Sequence, residues 1–375
     1  AGRTIDGTIL SENWWSTGVT PETETKVLAC GRFKDLWFRD LDNERPGSFL
    51  ALKCDNLHID DYIFYKLASG WSNLYLGDNI TIRGGWWDNY DVTKWDDDPY
   101  APAQAWSDCA HFSKVKNLSI TGVSGRAQDD FIAGTLDAIT WETTIAPEGR
   151  HKEMSHVHIS DINVRTRIAH AVRISCEPGT GDIDPDCWIG NINITGVTTY
   201  GPLDEPRIAG VVTLDDMRPD ATKPNGPVNV SNVRSLVSSS YIASPETYGV
   251  QLLSIYGQPV ADTSIRNWSD VSLSNINGMS IPGMGASTQT VITGVTDLKW
   301  GSSKLRTAAM VTAPPVPAVS INYCDNVDLD LDIVGRSTAS ALSVGFYKSL
   351  TLRGSIRGGV ADAGTDEFTA VSLRP

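Results

Sequence analysis

The segments "KCDNLHIDDYIF" at 53–64 and "YCDNVDLDLDIV" at 323–334 share Cys-Asp-Asn followed by a Leu or Val that opens an apolar alternation, although they lie near opposite ends of the chain. Related segments begin at Lys34, Asp78, Lys116, Ser155, Gly190, Val228, Asp270 and Lys348. Each is a turn bearing Asn or Asp, then short period-two stretches broken by Gly, Asn or Asp; hardly a segment keeps a helical period. Counted from the first alternating apolar residue, the units start at Leu36, Leu57, Ile80, Leu118, Val157, Ile192, Val228, Val271, Val327 and Leu350. The wide gap before Val327 is expected to hide one more unit near Leu298. A unit of about 20–25 residues made of short strands cannot bury its apolar face alone, so neighbours must stack around a shared core. The expected fold is therefore all-β, a parallel β-solenoid (β-helix) of about 10–12 coils with loop insertions in the central coils. A β-sandwich would need Asn-Gly or Asp-Gly hairpins between strands, and a leucine-rich repeat would need LxxLxL, which is missing.

Composition fits this picture. A chain of 375 residues is long enough for two average domains, but elongated all-β folds run this long as one, and a single domain over 1–375 is expected. Hydrophobic residues make up 41% and charged residues 20%, which suits a folded chain and does not suit disorder. The net charge of −14 repels phosphate backbones and anionic bilayers, so neither nucleic acid nor membrane insertion is expected. The first residues, "AGRTIDGTIL", lack a basic segment followed by an apolar one, and no stretch reaches about 18 consecutive apolar residues. Six cysteines without a CxxC pair suggest neither a disulfide scaffold nor zinc; Cys176 and Cys187, which bracket "CEPGTGDIDPDC", are the one pair that could close a loop, against a reading as free buried thiols. Five N-x-S/T sites, at Asn79, Asn117, Asn193, Asn229 and Asn267, lie mainly on the repeat's own turn-strand motif and read as architecture.

Wide spacing in the middle of a solenoid means loops, and loops of adjacent coils can wall a groove. The longest, "GGWWDNYDVTKWDDDPYAPAQAWSDC", carries Trp86, Trp87, Trp95 and Trp106, whose indole faces suit a sugar ring as well as they suit packing of the loop. Asp108 lies in "WSDCAHFSKVKNLSI" and the Asp129–Asp130 pair in "GRAQDDFIAG", one bare coil later, so the three acids should stack on one face. His170 in "RIAHAVRIS" follows one coil further on if "TWETTIAPEGRHKEM" is a loop. Clustered carboxylates are what glycoside hydrolysis needs: one acid protonates the leaving oxygen, another activates water, and like charges held close raise one pKa. An inverting arrangement would separate acid and base by about 6.5–9.5 Å. The competing reading is that these acids are turn residues, as in the doublets Asp60–Asp61 and Asp215–Asp216, which have no catalytic partner in view. Both Asp129 and Asp130 can reach the groove only if the backbone bends at a coil corner, with "FIAG" opening the next inward strand.

The order of these elements resembles the polygalacturonase-like glycoside hydrolases, related in fold to pectate lyases and to bacteriophage tailspike depolymerases. That family carries Asn-Thr-Asp-Gly, Gly-Asp-Asp, Gly-His-Gly and Arg-Ile-Lys on successive coils. Here "WSDC" at 106–109, "QDD" at 128–130 and "AHA" at 169–171 look like the first three, and "TIDGTILSENWW" at 4–15 is similar to the family's opening. The resemblance covers roughly the first 215 residues, and beyond it only the repeat continues. It implies a right-handed β-helix and hydrolysis with inversion, with Asp129 as general acid, Asp108 and Asp130 holding the attacking water, and His170 orienting the acid. Substrate contacts are expected from Trp106, Gln128, Arg126, Arg167, Arg173, Trp87 and Trp141, with no metal and no cofactor. The family glycines are replaced by Cys109, Gln128, Ala169 and Ala171, and "GVVTLDD" from Gly210 stands where Arg-Ile-Lys belongs, so pectin is a poor expectation. The resemblance points instead to a bacterial surface polysaccharide and to an extracellular or virion-associated depolymerase, trimeric as tailspikes are, with a secreted bacterial or fungal enzyme as the other setting. Two further readings stay open. One is a Ca²⁺-dependent lyase on the same scaffold, its cation held by "DIDPD" at 182–186 or by Asp96–Asp98. The other is a non-catalytic carbohydrate-binding rod.

Overall fold

A single residue in the left-handed region bends an otherwise extended chain, and Asn, Asp and Gly tolerate that conformation best. This protein uses such residues in two aligned rows. Asn56, Asn79, Asn117, His156, Asn191 and Asp270 form the first, each just before the leading apolar residue of its unit. Asp61, Gly84, Gly122, Asp161, Gly196, Asn232, Asn275 and Ser302 form the second, with φ between 44° (Ser302) and 72° (Gly122). Between the rows runs a short strand with alternate residues inward; beyond the second row the strand resumes in a new direction.

The computed structural model describes residues 32–34, 37–39, 49–52, 56–65, 73–89, 108–127, 129–136, 152–166, 169–176, 186–200, 210–218, 221–236, 251–258, 266–280, 290–307, 317–335, 340–357 and 371–374. These residues are all-β, without a helix, and their strands form two parallel sheets. The 13-stranded sheet runs Arg32–Lys34, His58–Tyr65, Ile80–Asn89, Lys116–Thr121, Glu153–Thr166, Trp188–Thr199, Val228–Ser235, Val271–Ser280, Asp297–Thr307, Asn326–Val334 and Ser349–Arg357, with two short strands, Trp37–Arg39 and Ser124–Ala127, paired beside this path. The 11-stranded sheet runs Phe49–Leu52, Asn73–Leu76, Ala110–Ser113, Ile132–Thr135, His170–Cys176, Gly210–Asp216, Gln251–Gly257, Thr290–Thr293, Val319–Asn322, Leu342–Gly345 and Val371–Arg374. The chain passes back and forth between the sheets, each pass adding a strand next to the one before. This order is consistent with a β-solenoid; parallel pairing throughout rules out a hairpin sandwich.

The expected units fall into register. Ile80 pairs with Leu118, then Val157, Ile192, Val228, Val271, Leu298, Val327 and Leu350 in succession, and the unit expected near Leu298 is among them. Thr81 donates to the carbonyl of Leu57, which puts Leu57 in the same row. The first unit does not follow. Phe33 pairs with Ile59 and Trp37 with Ile63, so the chain enters the Leu57 register before Leu36, a residue that lies outside the described ones.

The inward row from Leu57 to Val327 is at most 3% exposed and faces Phe112, Ile174, Leu214, Ile255, Ile292, Ile321 and Val344 of the other sheet, all buried. Each such side chain contributes about 1.5–3 kcal/mol of burial free energy, which is what holds the layers together. Asparagines bond to one another along the stack: in the first row Asn117 donates to Asn79 (2.8 Å), and within the strands Asn229 donates to Asn193 (3.2 Å). Asn267 is buried and donates to the carbonyl of Arg218 (3.1 Å), so the acceptor-site asparagines are part of the architecture. Cys176 and Cys187 are both buried thiols, and the disulfide considered between them is not formed. Glu153 and Met154, assigned to a loop from sequence, begin a long strand.

Candidate active site

The corner before the 11-stranded sheet builds the site. Ile132 pairs with Ala110 and Val172, and the amide of Cys109 donates to the Asp130 carbonyl (2.9 Å) while that of Phe131 donates to the His170 carbonyl (2.9 Å). Asp108, Asp130 and His170 are thereby stacked at the starts of three successive strands of the sheet. Phe131 and Ile132 are adjacent yet both buried, so strand alternation fails at this corner. Phe131 packs on Trp87, ring centroids 5.3 Å apart, and its turn into the core sends Asp130 to the polar side. Asp130 is 4% exposed, with His170, Asp108 and Arg173 as its polar neighbours; Asp129 is half-buried.

One oxygen from each of Asp108, Asp129 and Asp130 lies within 4.8 Å of the others. Carboxyl carbons sit roughly 1.2 Å behind their oxygens, so this spacing spans both retaining and inverting separations. Asp130 Oδ1 accepts from the His170 ring Nδ1 (2.7 Å) and from the His170 backbone N–H (2.7 Å), while Arg173 lies 3.7 Å from Oδ2. Asp108 Oδ1 accepts the backbone N–H of Asp130 (3.3 Å), and Asp108 Oδ2 shares a hydrogen bond with Nδ1 of the buried His111 (2.9 Å). His111 Nε2 is held in turn by Thr135 Oγ1 (3.0 Å). Gly210, beside His170, has no Cβ, and one placed there would come within 2.7 Å of the His170 ring; the glycine lets the imidazole lie against the sheet.

The three acids are driven apart in proton affinity. Burial, then the charges of Asp108 and Asp130, pushes Asp129 up to about 9, with Arg173 opposing. Burial and the charge of Asp130 raise Asp108 well above the ordinary carboxylate range. For Asp130 burial is again the largest single effect and acts upward, but the charge and hydrogen bonds of His170, with Arg173, outweigh it and hold this carboxyl below its ordinary value. Near neutral pH the site therefore presents a proton-bearing Asp129 beside an ionised Asp130, an acid and a base a few ångströms apart, with the proton affinity of Asp108 raised between them. The same three oxygens form a cluster that could ligate a hard cation.

Of the residues expected at the site, Asp108, Asp129, Asp130, His170 and Arg173 are brought together. Trp87 is not: it is 0% exposed in the core, and an indole with no accessible face cannot stack on a sugar; its neighbour Trp86, on the opposite face of the strand, is 44% exposed. The Arg126 guanidinium is engaged by the buried Asp88. Trp106, Gln128, Arg167 and Trp141 lie outside the described residues, as do Trp95, Asp96–Asp98 and most of "DIDPD". Asp186, the last of that run, accepts from Thr222 (2.7 Å).

Two members of the cluster were not singled out from sequence. His111 stands three residues after Asp108, and the structure places it in register with Ala133 and Arg173. Asp215 was set aside as half of an ordinary doublet, yet it lies 3.6 Å from Arg173 Nε and its pKa is raised, by burial first, against Arg173 and His170. Its neighbour Asp216 points the other way into a buried ion pair with Arg218 (2.6 Å), braced by Asn225. No protein-family model, no curated protein and no solved structure matches the chain.

Proposed function

We propose that this protein is a polysaccharide depolymerase that hydrolyses glycosidic bonds, built as a right-handed parallel β-helix of about 10–12 coils, a reading supported by the eleven successive parallel strands of one sheet among the described residues. The observation that carries the proposal is the divergence in proton affinity among three carboxyls within 4.8 Å of one another. Asp129, the most accessible of the three, donates its proton to the leaving glycosidic oxygen. Asp130, ionised by His170 and Arg173, accepts a proton from the attacking water, and Asp108, fixed by His111, hydrogen-bonds that water. His170 and His111 act as positioning residues, since each is committed to its aspartate. The resemblance of "QDD" and "AHA" to hydrolase motifs points the same way. The test is release of reducing ends from a panel of bacterial surface polysaccharides and neutral glycans: wild type should release them and Asp129→Asn should not while remaining folded.

A second reading has an observation in its favour. The three oxygens are close enough to share one cation, as in a Ca²⁺-dependent lyase, with Asp108, Asp129 and Asp130 as its ligands. The raised proton affinity of Asp108 and Asp129 opposes cation binding, which needs them ionised. Unsaturated products that absorb ultraviolet light, and loss of activity to a chelator, would favour the lyase.

A further inference from the structure

Next to the triad, the outer face of the 11-stranded sheet carries a patch set by register. Arg173 pairs with Thr213 and Ser175 with Asp215; one strand further, Thr213 pairs with Ser254 and Asp215 with Tyr256. The alternate residues Ile174, Leu214 and Ile255 face the core, so these six share the opposite face. With strands about 4.8 Å apart the patch extends roughly 10 Å along the stack from Arg173, the scale of a short oligosaccharide.

Two features of the patch call for a ligand rich in hydroxyls. Ser175 Oγ and Thr213 Oγ1 are buried, on residues 0% and 3% exposed, and find no hydrogen-bond partner among the described residues. Buried hydroxyls are almost always satisfied, so a partner supplied from outside the described chain is expected. Tyr256, half-buried beside Asp215, adds an aromatic ring of the kind on which a pyranose stacks. Charge then narrows the class. Arg173 is already shared between Asp130 (3.7 Å) and Asp215 (3.6 Å), and Arg126 is held by Asp88. A uronate would bring its own carboxylate beside the ionised Asp130, where Arg173 is already shared and offers it no dedicated cation, a like-charge juxtaposition that disfavours it.

We propose that Arg173, Ser175, Thr213, Asp215, Ser254 and Tyr256 form a sugar subsite adjoining the triad, and that it takes an uncharged sugar residue of the glycan in preference to a uronate. The proposal rests on the glycosidase reading of the triad. Its test uses neutral polysaccharides together with acidic ones in native and carboxyl-reduced form; cleavage is followed with wild type and binding with Asp129→Asn. The expected result is binding and cleavage of neutral or carboxyl-reduced polymers. Thr213→Val, which removes one hydroxyl and keeps the shape, should raise KM about 3- to 10-fold, more than it lowers kcat, at an unfolding midpoint no lower than that of wild type. Cleavage of an acidic polymer that is lost on carboxyl reduction, or an unchanged KM in Thr213→Val, overturns the subsite proposal and leaves hydrolysis standing. If no polymer in either form is bound or cleaved, the glycosidase reading itself fails, and the subsite falls with it.

Discussion

Asp129→Asn separates stability from activity. The Asp129 carboxyl is half-buried and titrates at about 9 in the folded protein, whereas an aspartate in an unfolded chain titrates near ~3.9. Between those values the folded state holds a proton that the unfolded state has released. Stability from this group is therefore fully present below the unfolded pKa and is lost as pH rises toward the folded one. The loss is about 1.4 kcal/mol per pH unit, which accumulates to on the order of 4 kcal/mol at neutral pH. Asparagine has nearly the same shape and no proton to lose, so Asp129→Asn should be more stable than wild type at neutral pH while losing turnover, the trade expected of a strained catalytic group. Urea unfolding of both proteins from about pH 5 to about pH 8 measures it, the gap widening with pH by roughly 1.4 kcal/mol per unit. A gap that stays flat over that range would refute the raised proton affinity of Asp129 and with it the assignment of the general acid.

Further predictions follow from the same contacts. His170→Ala removes the charge and hydrogen bonds that hold Asp130 below its ordinary value, so the acid limb of the kcat/KM profile should move to higher pH; an unmoved limb would show that Asp130 is not the base. Arg218→Met leaves Asp216 buried and unpaired and should cost about 3–5 kcal/mol in urea unfolding, most of it recovered in the double variant Arg218→Met/Asp216→Leu. Trp87→Ala empties a core site against Phe131 and should cost about 3–5 kcal/mol without changing KM in the folded protein; a large KM rise would restore Trp87 as a sugar contact.

The repeat was legible because its punctuation is physical: a left-handed residue must sit at each bend, and Asn, Asp and Gly mark it in the sequence. The first unit was misplaced because a coil holds two alternating stretches on either side of a bend, and the stretch containing Trp37 imitates a unit start. The stacking of Asp108 with Asp129 and Asp130 was legible from unit spacing, and that of His170 once most of 140–154 was read as an insertion. The side on which a side chain lies was harder to read. Asp215 and Asp216 look like any acidic doublet, yet one meets Arg173 at the site and the other a buried Arg218. Trp86 and Trp87 read as one aromatic pair, and alternation sends only Trp86 outward. His111 was missed for the opposite reason: where the corner suspends alternation, Asp108 bends to meet it, and no periodic pattern announces that contact.

Hydrolysis can be tested on the bond itself. Depolymerisation in water enriched in oxygen-18, followed by mass spectrometry of the fragments, reports whether solvent enters the new reducing end. The account predicts one labelled oxygen at each new reducing end with wild type and none with Asp129→Asn. Unsaturated fragments without label would contradict it and assign the triad to a lyase; polymers left intact would leave the protein a glycan-binding rod.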